Sequence, residues 1–327
     1  MKLNWIMKSA LVIALATSLP VRADGAPPRP LPRITGLANY ALYVHDMAKS
    51  LQFYKQFLGF DQPYSLNNPD GSLHMTWIKI NDRQCIQLFP EKEANSDRLY
   101  HFSLETDDAA GMRDYLASKG VQVPAKINKG RIGNLEFFVK DPNGHTIEFV
   151  QYLPEGWTLA NQGKFLPDTR ISTSMPHIGI LVDDVDVSKK FYEDVLGFTE
   201  VWRGSKNGKE LNWVHEHLPY SDQFIEFMLY SQLPDPDKRG KYHHLCLEVP
   251  DIKKAKAILD QRAASIGYTK EMTIQVGINR KRQLNVYDPD GTRVEFMEPF
   301  TIDRIPAPPS TAPAPHPSQQ AKQQGES

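Results

Sequence analysis

Apolar residues along this chain recur with two rhythms, and the switching between them predicts the elements. Leu42 to Val44 closes an apolar, strand-like run, after which Asp46 is placed to cap a helix whose buried face carries Leu51, Tyr54 and Leu58 and which Gly59 stops. Strands are then expected over Leu73–Ile80 and Gln84–Phe89, between the turn signals NNPDG and NDR. A second unit opens at Leu99, with a helix over Ala109–Ser118 ended by Gly120 and strands near Leu135–Val139 and Thr146–Tyr152. Residues 154–173 lack periodicity and carry two prolines, which reads as a linker. Two further units follow, over about 175–230 and 241–299, the last with a helix over Ile252–Arg262. Each unit reads strand, helix, then three strands.

The units repeat in sequence as well as in pattern. Val44, Ser50, Phe53, Tyr54, Leu58, Gly59 and Phe60 match Val182, Ser188, Phe191, Tyr192, Leu196, Gly197 and Phe198 at a constant offset of 138. DPNGHTIEF from Asp141 and DPDGTRVEF from Asp288 match at an offset of 147, so the second half is longer between these landmarks. The chain is a duplication.

The second half also carries candidate chemistry. His177 opens the apolar run HIGILV and Glu226 lies in FIEFMLY; His244 opens HLCLEV and Glu295 lies in VEFMEP. Two His-to-Glu units of nearly equal length stand in tandem. Imidazole and carboxylate together suit one divalent metal of the Zn, Fe, Ni, Mn or Co type, so the two units folded face to face would make a mononuclear site.

Composition narrows the class. A chain of 327 residues with 40% apolar content exceeds what one core usually serves. Net charge is −1 and the basic residues form no run, which argues against nucleic acid as a partner. Residues 1–23, with Lys2 and Lys8 ahead of an apolar stretch from Ala10 to Leu19 and small residues before Asp24, read as a signal peptide too short to span a bilayer, so a secreted or periplasmic protein with no membrane span in the mature chain is expected. Residues 24–33 read as a flexible leader and 301–327, rich in Pro, Ser and Gln, as a disordered tail. Cys85 and Cys246 lie in strand-like runs and are expected as buried, unlinked thiols.

The phrases FYxxxLGF, HIGILV, HLCLEV and DPDGxxxEF resemble the vicinal oxygen chelate superfamily, which includes glyoxalase I, methylmalonyl-CoA epimerase, extradiol dioxygenases and bleomycin resistance proteins. The resemblance covers roughly residues 36–300 and implies an α+β fold: four βαβββ modules paired within the chain into two tandem eight-stranded half-barrels, over 34–153 and 174–300. It implies His177, Glu226, His244 and Glu295 as metal ligands, with Gly179, Cys246, Arg293 and Met297 facing the same cup and His243 facing away. Arg293 becomes a candidate anion binder. In the first half the equivalent positions are Asn39, Gln87, His101 and Glu148, a weaker donor set that reads as a degenerate, metal-free barrel.

The implied chemistry is Lewis-acid handling of a small substrate with two vicinal oxygens, in a lyase or isomerase of glyoxalase type with Glu295 or Glu226 as base. The alternative is an Fe(II) extradiol dioxygenase with His177, His244 and Glu295 as its triad. Against it, Asn285 stands where those enzymes place a tyrosine, and no histidine lies between Pro219 and Tyr242. A non-catalytic small-molecule binder is the third class.

Overall fold

The computed structural model describes residues 29–304. The expected signal peptide, most of the leader and most of the tail lie outside the described residues. Among the described residues, no helix is long and apolar enough to cross a membrane.

In the first half the chain runs β1 (Ile34–Val44), α1 (Met47–Leu51), β2 (Asp61–Asn67), β3 (Leu73–Lys79) and β4 (Cys85–Pro90), then β5 (Leu99–Thr106), α2 (Ala109–Ser118), β6 (Asn128–Lys129), β7 (Leu135–Lys140) and β8 (Thr146–Gln151). A one-turn helix, α3 (Trp157–Ala160), interrupts the expected linker. Its Trp157 ring packs 5.4 Å from Tyr64, a tertiary contact that periodicity does not register. The second half repeats the plan with β9 (His177–Val182), α4 (Val185–Lys189), β10 (Thr199–Gly204), β11 (Trp213–His217), β12 (Phe224–Leu229), β13 (His244–Glu248), α5 (Ile252–Ala263), β14 (Gln275–Val276), β15 (Lys281–Tyr287) and β16 (Arg293–Thr301).

Each half is one eight-stranded sheet. Their orders are β2-β3-β4-β1-β5-β8-β7-β6 and β10-β11-β12-β9-β13-β16-β15-β14, so the first strands of the two modules meet antiparallel at the centre of each sheet. This is the expected fold, with the modules paired within the chain.

Strand parity divides the burial. On β1 the even positions Tyr40, Leu42 and Val44 join the main core with the helices, while Ala41 and Tyr43 face the cup. On β9, Ile178, Ile180 and Val182 take the core side and leave His177 and Gly179 to the cup. The main core is continuous across the halves, and it is closed where the helical segment Gln52–Phe57 of the first half packs on α5 and the turn after it in the second.

The helices carry the duplication's signature. Asp46 and Asp184 cap α1 and α4 through their side chains. Both helices then widen into π-helical turns, Gln52–Phe57 and Lys190–Val195, and end at Gly59 and Gly197, whose φ values of 77° and 73° a side chain would disfavour. At Gly59 an added Cβ would also lie 2.0 Å from the Thr169 carbonyl oxygen.

The tyrosines in those turns reach across the duplication. Tyr54 Oη donates to Asp288 Oδ2 at 3.2 Å, and Tyr192 Oη donates to Asp141 Oδ2 at 3.0 Å. Each FY phrase is thus bonded to the DPxG turn of the opposite half.

Candidate metal centre

Four strands of the second sheet bring the candidate residues together. The register sets His244 and Glu226 on either side of Gly179, and sets Cys246 beside both His177 and Glu295. Gly179 decides whether this can happen. A Cβ there would lie 1.9 Å from Cε1 of His244, so only glycine lets the His244 ring turn into the cup.

His177 Nε2, His244 Nε2 and Glu295 Oε2 form a triangle with edges of 3.2 Å between the imidazoles, 3.0 Å from His177 to Glu295 and 3.6 Å from His244 to Glu295. All three residues are buried. An ion with bonds of ~2.1 Å spaces its ligand atoms by about 3.0–3.4 Å in octahedral or tetrahedral geometry, so the triangle has the dimensions of one face of a coordination shell. His244 Nδ1 lies 3.0 Å from the Tyr242 carbonyl oxygen; donation there leaves Nε2 a bare lone pair directed at the other ligands. With both Nε2 atoms unprotonated, as ligation requires, two lone pairs and a carboxylate would face one another in a buried site, and a cation between them would relieve the repulsion. The donor set fits a divalent metal.

Glu226 stands beside this triangle. Its Oε2 lies 3.2 Å from His244 Nε2, while Oε1 is held 3.0 Å from His215 Nε2. Burial pushes this carboxyl up, but His215 and His244 outweigh it and hold Glu226 well below the usual carboxylate range. Glu295 is treated the same way: burial raises it, and the hydrogen bond from His177 with the charges of His244, His177 and Arg293 brings it down. His244 is lowered by burial and by the Arg293 charge, which favours the neutral ligand form.

His215 is the residue that sequence reasoning missed. It is paired with Glu226 across β11 and β12, and its ring stacks 4.4 Å from Phe224, which also stacks 4.5 Å from His177. Trp202 joins the cluster, tilted, 4.4 Å from His215. These rings fix the orientations of His177 and Glu226 without using a ligand nitrogen. The parity of VHEH, which puts His215 on the cup face, is the signal available in the sequence.

The remaining expectations fall as follows. Arg293 faces the cup, with Nη2 against His244 Nδ1 and a buried Nε that has no partner. Cys246 and Met297 pack with Phe224 inside the cup, and both cysteines are free thiols, Cys246 buried as expected and Cys85, at the start of β4 beside the first half's cup, only partly so. His243 faces the other half, 3.3 Å from Asp97 and edge-on to His145. The cup mouth is a cavity of about 550 Å³ bordered by Lys206, Lys241, Tyr287 and Asn279 as well as Arg293 and Glu295. A second acidic trio, Glu193, Glu200 and Glu216, lies outside the cup, where Lys189 already bridges Glu193 and Glu200.

Comparison with known proteins agrees with this architecture. Residues 36–149 and 174–296 each match the Glyoxalase/Bleomycin resistance protein/Dioxygenase superfamily, and the chain belongs to that superfamily. It is similar to a lactoylglutathione lyase of Schizosaccharomyces pombe, with 25% identity over 308 residues covering 80% of this chain and 96% of that protein. It is also similar to a catechol-2,3-dioxygenase of Bacillus subtilis, with 25% identity over 192 residues, 50% of this chain and 65% of that one. In fold it is similar to the 2,3-dioxygenase LapB from Pseudomonas sp. KL28, with a TM-score of 0.62 and 17% identity over 85% of this chain and 99% of the other.

Proposed function

We propose that the second half is the working site of a metal-dependent lyase or isomerase acting on a small substrate with vicinal oxygens. The observation that carries this reading is the second carboxylate: Glu226 Oε2 reaches to 3.2 Å from His244 Nε2 while its other oxygen is tied to His215. His177, His244 and Glu295, with Glu226 at the fourth position, would hold a divalent ion, which when bound supplies Lewis-acid polarisation of the two substrate oxygens. Glu226, kept ionised and aimed by His215, takes and returns a proton at the carbon beside the substrate carbonyl. Arg293 offers its unpartnered Nε to an anionic group of the substrate, and the lysines at the mouth favour the same charge. Relatives named as lactoylglutathione lyases support the reaction class. The expected export of this chain argues for a substrate other than a glutathione adduct.

The second reading, an Fe(II) dioxygenase, is favoured by the tight triangle of two histidines and one carboxylate, with Glu226 drawn toward His215 instead. Metal analysis comes first: about one divalent ion per chain is expected, and no uptake of Zn, Ni, Mn or Fe(II) would end both readings. Metal-loaded protein is then incubated in D₂O with 2-oxoaldehydes and α-hydroxyketones, and separately with a catechol panel in an oxygen electrode. Deuterium incorporation without oxygen uptake, lost in Glu226→Gln, supports the lyase or isomerase. Oxygen uptake with a catechol that survives Glu226→Gln replaces it with the dioxygenase.

A further inference from the structure

The cup of the first half is built from the same plan as the second and has been turned into something else. Asn39 occupies the place of His177, and its amide nitrogen donates to Glu148 Oε2 at 3.3 Å, as does the Ser103 hydroxyl. Both donors go to one oxygen, Oε2, of the carboxylate that corresponds to Glu295. Ala41 stands where the second half has Gly179, and it pairs with His101 and Gln87 as Gly179 pairs with His244 and Glu226. A methyl group at that position closes the space into which His244 turns. The His101 ring lies instead against the aromatic wall, 5.4 Å from Phe138 and 4.7 Å from Tyr100. Its Nε2 lies 3.5 Å from Glu148 Oε2, where it helps hold that carboxyl below its ordinary range against the effect of burial, and its Nδ1 is buried with no hydrogen-bond partner.

What remains is a cavity of about 240 Å³ with walls formed by Trp77, Phe89, Tyr100, Phe138 and Trp157. An apolar cavity of ~150 Å³ accommodates a benzene ring, so there is room here for one or two fused rings. The floor is acidic. Glu136 on β7 and Glu148 on β8 are diagonal neighbours in it, with their carboxyl groups against each other. The basic residues around the cavity are engaged elsewhere: Lys79 with Asp82 and the Asn161 and Lys164 carbonyls, Arg83 with Glu105, Arg131 with the Asn67 carbonyl. Burial and the neighbouring Glu148 push Glu136 up to about 8, the mark of a carboxyl that lacks a cation.

We propose that the first cup is a metal-free binding site for a planar aromatic amine, the ring held between the aromatic walls and the ammonium group set on Glu136 and Glu148. Aromatic faces and carboxylates attract the same charge, and the unpartnered His101 Nδ1 accepts from or donates to a polar ring atom. Binding here does not depend on the chemistry of the second cup.

Titration calorimetry of the full chain with tryptamine and phenethylamine tests this, with indole-3-acetate as the control of opposite charge. One tryptamine site per chain is expected, weakened about tenfold or more by Glu136→Gln, which loses a charge-assisted contact, and unaffected by His177→Ala. His101→Gln, a smaller change in the same floor, should weaken it by about threefold or more. Indole-3-acetate should bind at least about tenfold more weakly than tryptamine. The proposal is overturned by no binding of either amine at millimolar concentration, by tighter binding of indole-3-acetate, or by binding that His177→Ala abolishes and Glu136→Gln leaves intact. Glu136→Gln removes a half-buried acid without changing shape, and an unchanged melting temperature verifies that the variant is folded.

Discussion

Tyr54 donates its hydroxyl to Asp288, 234 positions away in the chain and in the opposite half of the molecule. Tyr192 and Asp141 repeat the bond in reverse. Both tyrosines are fully buried, and burial is the main reason their phenols are pushed well above the ordinary range. Replacing Tyr54 with Phe keeps the ring and removes the donor. A loss of about 1–3 kcal/mol in denaturant unfolding is expected, because a buried carboxyl oxygen loses a partner. Tyr192→Phe should cost a similar amount, and an unchanged midpoint for either variant would show that the bond contributes nothing.

Asp288 makes the same junction sensitive to pH. Burial lifts it to about 7 despite the Thr292 amide and the Tyr54 hydroxyl, whereas an unfolded aspartate stays near 3.8. A carboxyl raised on folding contributes stability that is fully present below the unfolded value and is lost as pH rises through the folded one. The wild-type melting temperature should therefore fall between about pH 4 and 7 more steeply than that of Asp288→Asn. Glu216, pushed up to about 8 mainly by burial, adds a slope of the same sign in both proteins, so the difference between the two curves is the quantity to read. Parallel curves would sink the prediction.

Gly179→Ala should abolish metal uptake, since its methyl displaces the His244 ring, while the fold measured by circular dichroism is kept. The reverse exchange in the first cup, Asn39→His with Ala41→Gly, restores two features of the second. Metal content should rise from about one ion per chain toward about two. Ala41→Gly alone should leave it unchanged, because Asn39 and Ser103 still occupy Glu148.

His215→Ala frees Glu226 without removing a candidate ligand nitrogen. Metal affinity or proton-exchange rate should fall by about 10- to 100-fold, the usual effect of losing the partner that orients a ligand. Isothermal metal competition and deuterium exchange read the two effects separately. A variant indistinguishable from wild type would make His215 a packing residue only.

Much of this was legible in the residues. The repeated FYxxxLGF and DPxG phrases mark the duplication, helix Ala109–Ser118 stops ahead of Gly120 as expected, and His177, Glu226, His244 and Glu295, picked out by their His-to-Glu spacings, meet in one cup. Strand parity also places Arg293 inward and His243 outward. Other features are set by contacts between strands that no local rhythm encodes. His215 matters because a hairpin places it beside Glu226, and α3 forms where Trp157 finds Tyr64. The difference between Ala41 and Gly179 looks trivial in sequence. It becomes decisive only once the register sets each beside a histidine.

The crossed tyrosines bear on how such a molecule diverges after duplication. A half whose cup carries Asn39 and Ala41 where the other has His177 and Gly179 still owns the tyrosine that bonds a buried acid in its sister, and takes the same service in return. Loss of either half would strip the other's buried acid of that donor. Each barrel is thus an escort to its neighbour through residues on the far side of the sheet from its own cup.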